Sequence, residues 1–275
     1  VPIRRCVKSI ETLQSIDTYD LVYNEVFRAP SRSMQFRNVM TGQPETSKKT
    51  QFLEAFEAFR ADIGRSPHDP QVRPFVLWAL DLPADGELSR RIRIPDEYKV
   101  GYVFRSRDEG DPAMNATITA AGSISEPHID QAGCASFLIE LLGRKIFVIW
   151  PPTPKNLKWF SGMYGLHNGA IFESALEQLE QPECVIYEQS QIDILPPGYI
   201  HGVLSPENSA IAGAPVVHSS VKSVALIAME WESKVLEKRK MGVPLEKSTV
   251  EDIENGLKED RHLWNELDRM VMSEV

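Results

Sequence analysis

The chain has 275 residues, 42% hydrophobic and 25% charged, with a net charge of −9. It is long enough to bury a sizeable core, and its acidic balance argues against a broad electrostatic grip on nucleic acid, which needs clustered lysine and arginine. Three cysteines, Cys6, Cys134 and Cys184, are too few and too scattered for a disulfide framework or a zinc cluster and fit a reducing, intracellular home, while no apolar run approaches the ~20 residues that span a bilayer. The chain starts at Val1 rather than Met, so any targeting signal ahead of it lies outside this sequence.

Residues 1–97 read as a mostly helical flank. "QFLEAFEAFRADIG" sets Phe52, Phe56 and Phe59 on one helical stripe, the pattern of an aromatic face packed on a core, before "RSPHDP" breaks it. From Tyr98 the texture changes to short alternating or β-branched runs: "YKVGYVF", "NATITAAGS", "CASFLIELL", "RKIFVIW", "CVIYEQ", "DILPP", "HGVLS" and "APVVHSS". Many short strands separated by Gly, Pro and Asn predict a mainly β fold with flanking helices, its core a sandwich or jelly-roll barrel over residues 98–220. One helix, "GAIFESALEQLE", interrupts the strands. Residues 221–275 return to helix, first "VKSVALIAMEWESKVLEKRK" and then a segment opened by the capping-box pair Ser248 and Glu251. In that last segment Ile253, Leu257, Trp264, Leu267 and Val271 share one face, which would dock on the body of the protein or on a second copy in a helix-mediated dimer.

At the head of the apolar run "EPHIDQAGCASFLIELLGRKIFVIWPP", His128 and Asp130 stand two apart, so on a strand both point to one face and can reach one ion. Among six histidines such a pair is cheap by chance. "ILPPGYIHGVLSP" raises its weight, because His201 follows a Pro-Gly turn and opens another short strand. Two histidines and one carboxylate form the facial triad of non-haem Fe(II) oxygenases, with positions left open for oxygen and an organic cofactor. His68, His167 and His262 read as surface or loop histidines, and His218, in "VVHSS", as a satisfied core histidine. Lys145 alternates with Arg144 amid apolar neighbours, which leaves two readings: a side chain turned into the barrel, where its ammonium needs an anionic partner, or a strand-edge charge, the commoner outcome for such a lysine.

The stretch from Glu126 through "PPTPKNL", followed 73 residues after His128 by "PPGYIHGV" and then by "GAPVVHSS", resembles the JmjC-domain 2-oxoglutarate oxygenases. Within them it looks most like the histone lysine demethylases whose JmjC domain accompanies a plant homeodomain finger or an F-box. The motifs that carry the resemblance are the His-x-Asp, a lysine 17 positions on, the "PT..NL" after that strand and the Pro-Gly-x-x-His. The resemblance covers residues 98–220 and implies a cupin-like double-stranded β-helix. It also implies Fe(II) held by His128, Asp130 and His201, and 2-oxoglutarate whose far carboxylate is met by Lys145 and Ser125, with ascorbate as reductant in vitro. The implied activity is oxidative demethylation of methyl-lysine in histones, on a basic peptide or histone tail, in the nucleus, with no direct nucleic-acid or membrane binding. Two alternatives stand beside it: a JmjC hydroxylase of another protein or small molecule, and a non-catalytic JmjC-like interaction domain. The chain departs from those demethylases in two places, with Leu138 where they carry a tyrosine ten residues after the first histidine and "GAPVVHS" where they read "GGNFLHS".

Overall fold

In the computed structural model the described residues are 4–5, 34–38, 44–47, 61, 75–82, 92, 99–100, 114–163, 171–189, 191–240 and 247–273. Their strands are β1 (Arg4–Arg5), β2 (Met34–Asn38), β3 (Pro44–Ser47), β4 (Phe75–Leu82), β5 (Lys99–Val100), β6 (Met114–Thr119), β7 (Ile124–His128), β8 (Ala135–Leu142), β9 (Arg144–Trp150), β10 (Glu183–Glu188), β11 (Ile192–Leu195), β12 (Ile200–Leu204) and β13 (Ser209–Val217). Between β9 and β10 lie α1 (Pro154–Met163) and α2 (Ile171–Gln178), and after β13 come a 3-10 turn (Ser219–Val221), α3 (Lys222–Lys240) and α4 (Lys247–Ser273). The strands pair antiparallel in two sheets, one ordered β1-β11-β8-β13-β6-β4-β2-β3 with β5 also on β13, the other β10-β9-β12-β7. This is the mainly β, cupin-like jelly roll that the strand pattern predicts. Among the described residues no helix is long and apolar enough to cross a membrane.

Period-two alternation divides the side chains into two cores. Phe147 and Ile149 of β9, Val185 and Tyr187 of β10, Leu195 of β11, Val203 of β12 and Ile211 of β13 meet between the sheets, with Leu138 of β8 packed against them. The opposite faces of β6, β8 and β13 carry Ile118, Phe137, Ile139 and alternate alanines, which pack under α3 and α4. Ile253, Leu257, Leu263 and Trp264 of α4 are buried there, so the body of the protein is what this helix docks on. The side chain of Val271 lies outside the described residues.

Before Tyr98 the described residues form strands, save Ala61, which is helical, and Ile92. β4 pairs with β6 and β2 with β4, so this flank extends the larger sheet across the expected 97/98 boundary. The run "FVLWALDL" has no turn residue and no clear period, and such apolar runs fit a buried strand as well as a helix. The phenylalanine stripe of residues 52–59 lies outside the described residues. A helix that the strand-rich reading lacks is α1. Thr153 opens it, its hydroxyl accepting from Asn156 N at 3.2 Å and its carbonyl from Leu157 N at 2.9 Å, with Pro154 at the first helical position. The "PT..NL" motif is thereby structural: buried Asn156 donates to the carbonyls of Pro151 and Glu180 and accepts from Glu180 N, which ties the end of β9 to the end of α2.

Candidate metal centre

β7 and β12 are neighbours in the smaller sheet, and their register sets His128 directly opposite His201. The Pro-Gly turn before β12 needs Gly198, whose φ of 70° suits glycine and whose Cα lies against Ala228 of α3. Asp130 follows β7 by two residues. The result is that His128, Asp130 and His201 each offer a ligand atom within 4.8 Å of the others. Ligands at right angles on ~2.1 Å bonds stand ~3 Å apart, and the Nε2 atoms of His128 and His201 lie 3.5 and 3.7 Å from Asp130 Oδ1.

Hydrogen bonds settle which atoms are free. His128 Nδ1 lies 2.8 Å from the carbonyl of Glu126, and His201 Nδ1 lies 3.3 Å from that of Tyr199. A carbonyl only accepts, so each ring carries a proton on Nδ1, which leaves Nε2 as the atom that can face an ion. The Ser136 hydroxyl, 2.7 Å from Asp130 Oδ2, donates to that oxygen and leaves Oδ1 facing both rings. Burial and the neighbouring His128 push His201 down to about 4, against the pull of Asp130. Burial would raise Asp130, but the neighbouring His201 and His128 and the Ser136 hydroxyl hold it well below the usual carboxylate range, while His128, against its own burial, is raised by Asp130. A neutral imidazole and an ionised carboxylate are the states a divalent cation requires. This donor set fits a ferrous ion.

A bulge places Ser125. His128 faces His201 and Ser125 faces Val203, three steps along β7 against two along β12, so both sit on the barrel-facing side although they are three apart. Ser125 is nonetheless exposed. Lys145 lies deeper, opposite Tyr187 on β10, and is 2% exposed, whereas Arg144 beside it points outward to Glu207 at 2.7 Å. Gly143, with φ 69°, turns the chain from β8 into β9 just before this lysine. Lys145 Nζ donates to Thr119 Oγ1 at 2.8 Å, and that hydroxyl meets those of Ser205 and Ser209. Burial lowers Lys145 to about 8, partly offset by the charge of Glu140. Leu138 packs on the inner cluster.

The remaining histidines stand apart. His262 is exposed and pairs with Glu266, and His218 caps the 3-10 turn by accepting from Ser220 N, which corrects its reading as a core histidine. His68 and His167 lie outside the described residues.

The sequence reading does not find the groups that support the ligands. Ser136 and Glu140 share the inward face of β8, and their role depends on which face is inside. Asp260 of α4, fully buried, accepts from Gly133 N at 2.9 Å, from Cys134 Sγ at 3.2 Å and from Gln131 Nε2, while Trp264 Nε1 donates to Gly133 O at 2.9 Å. The loop that carries Asp130 is therefore fastened to the C-terminal helix. The only advance sign was the amphipathic face of that helix, which predicts docking but not its target.

An antiparallel jelly roll with two histidines and an aspartate converging at its mouth is a cupin-like fold with a group that could hold a metal. Comparison with known proteins narrows the class. No family model matches the chain. It is 26% identical over 133 residues, 48% of the chain and 12% of the relative, to JmjC domain-containing histone demethylation protein 1 of Caenorhabditis elegans. It is 24% identical over 208 residues, 71% of the chain and 49% of the relative, to the protein of the same name from Candida glabrata. To lysine-specific demethylase 2A of Xenopus tropicalis it is 24% identical over 103 residues, 37% of the chain and 9% of the relative. The chain thus spans at most about half the length of these relatives, and the likeness supports a place for it among JmjC-domain proteins.

Proposed function

We propose that this chain is an Fe(II)- and 2-oxoglutarate-dependent dioxygenase that demethylates methyl-lysine in histones, of the kind whose JmjC domain accompanies a plant homeodomain finger or an F-box. The observation that carries the reading is the convergence of a ligand atom each from His128, His201 and Asp130 within 4.8 Å at the mouth of the barrel. Bound iron with 2-oxoglutarate would supply oxygen activation, hydroxylating an N-methyl group that then leaves as formaldehyde. The chain's own part is positional. Glu126 and Tyr199 carbonyls orient the rings, Ser136 turns Asp130, and the loop tie to Asp260 keeps that carboxylate in place. Lys145 would meet the far carboxylate of the cofactor with Ser125 beside the entrance, and the walls of Phe147, Ile149 and Leu138 would keep water from the interior.

The charge of −9 favours the approach of a basic tail, and a histone substrate implies a nuclear home. A second reading, hydroxylation of a carbon centre, is favoured by Leu138, which replaces a hydroxyl-bearing side chain with an apolar one beside the cofactor space. Incubation with iron, 2-oxoglutarate, ascorbate and a library of methyl-lysine histone peptides, followed by mass spectrometry, separates the two. Loss of about 14 mass units per event supports demethylation and a gain of about 16 supports hydroxylation, one CH₂ against one oxygen. Succinate formation with no change in any peptide would overturn the histone assignment alone.

A further inference from the structure

The barrel interior holds an acid that the site described above does not use. Glu140 is fully buried, and neither of its carboxyl oxygens has a hydrogen-bond partner among the described residues. Its register partner on β13 is Ile211, a member of the cluster between the sheets, just as the partner of Lys145 is Tyr187 of that same cluster. Cross-strand partners share a face. Glu140 and Lys145 therefore both project into the barrel, one from each sheet, and each feels the other's charge.

A buried carboxyl without a partner costs free energy unless something fills its hydrogen-bonding capacity. Lys145 poses the complementary problem, an ammonium away from water with a single hydrogen bond, to the neutral Thr119 hydroxyl. We infer that Glu140 is a second residue of the cofactor subsite, donating its carboxyl O–H to the same carboxylate of a dicarboxylate cofactor that pairs with Lys145. The inference rests on the dioxygenase reading. Charge counting favours a donor role over a counter-ion role. With the cofactor in place, an ionised Glu140 would set two carboxylates against one ammonium in a dry interior, whereas a neutral Glu140 leaves one pair and one extra donor. Burial pushes the Glu140 acid well above its usual range, more strongly than Lys145 pulls it down, which is the direction a donor needs. Leu138, one turn of the pleat away on the same face, has no donor of its own, so Glu140 supplies what that position lacks.

The test is calorimetric titration of Mn(II)-loaded protein with 2-oxoglutarate, with Mn(II) occupancy measured separately by electron paramagnetic resonance. Glu140→Gln keeps an N–H donor of similar shape and should bind within about threefold of wild type, whereas Glu140→Leu should bind about 10- to 100-fold more weakly, the range for one hydrogen bond to a charged group. Glu140→Met replaces the leucine variant if that one does not fold. Equal or tighter binding by the leucine variant would overturn the inference, because Glu140 would then be a bystander or a competing charge. A glutamine variant as weak as the leucine one would overturn it also, since the negative charge would be what matters. If Mn(II)-loaded wild type binds no 2-oxoglutarate, the dioxygenase reading fails and takes this inference with it.

Discussion

The mouth of the barrel and its interior handle charge in opposite ways. At the mouth, His128 and Asp130 keep 43% and 40% of their side-chain surface exposed, and every donor and acceptor not meant for an ion is already bonded to a backbone carbonyl or to Ser136. Water can stand in for a cation there at little cost. In the interior, Lys145 and Glu140 are 2% and 0% exposed, with few bonds between them and their surroundings. A lysine and an acid held like that would be satisfied by a ligand that brings complementary groups. The mouth is preorganised for an ion, and the interior, on the proposed reading, would be completed by a ligand.

The largest effect that can break this contrast lies at the mouth. His201→Ala removes a ligand atom outright and should lower Mn(II) or Fe(II) affinity by more than about 100-fold, since loss of an outer partner alone costs about 10- to 100-fold. Metal titration with circular dichroism as a check on folding decides it, and wild-type affinity would dissolve the triad. In the interior, Lys145→Ala should weaken 2-oxoglutarate binding by roughly 2 to 5 kcal/mol while leaving metal affinity in place. Unchanged cofactor affinity in calorimetry would erase the distinction between the two regions.

The smallest effect sharpens the comparison with a buried acid that has no ligand to wait for. Glu232 of α3 is 5% exposed and raised to about 8, by burial first and by the nearby Asp260 second. Its folded value lies above its usual 4.5, so between about 4.5 and about 8 the native state holds more protons than the unfolded one. Stability from this group is present below that window and is lost as pH rises through it, at up to ~1.4 kcal/mol per pH unit. Urea denaturation at stepped pH should give a declining curve for wild type and a flatter one for Glu232→Gln. Parallel curves would mean that Glu232 does not titrate in this window.

What could be read in advance follows from the range of each signal. The strand texture after Tyr98, the His-x-Asp pair and the Pro-Gly turn before His201 are local, and local patterns predicted the jelly roll and the convergence of three ligand atoms. Arg144 and Lys145 are legible for the same reason, because alternation sends neighbours to opposite faces. Ser125 is not, since three residues of spacing reverse the face unless a bulge intervenes, and the bulge shows only in the pairing with β12. Glu140 looks like one more polar residue in "FLIELL" until the register with Ile211 turns it inward. β4 was hidden by an apolar run with no period, and α1 by a proline that reads as a break but here begins a helix.

The tie between Asp260 and the loop after Asp130 joins residues 126 to 129 positions apart in the chain. Contacts of that span close long loops, so they gain nothing until the chain has been made as far as Asp260. During synthesis, β7 and β12 can pair, and the two histidines can meet, while the carboxylate between them still swings on an unfastened loop. On the proposed reading, tight binding of a metal would then wait until α4 has left the ribosome and docked. Helix α4 would thereby serve as a check on the centre, since a chain cut short before it would carry two of these side chains in place and the third unfastened.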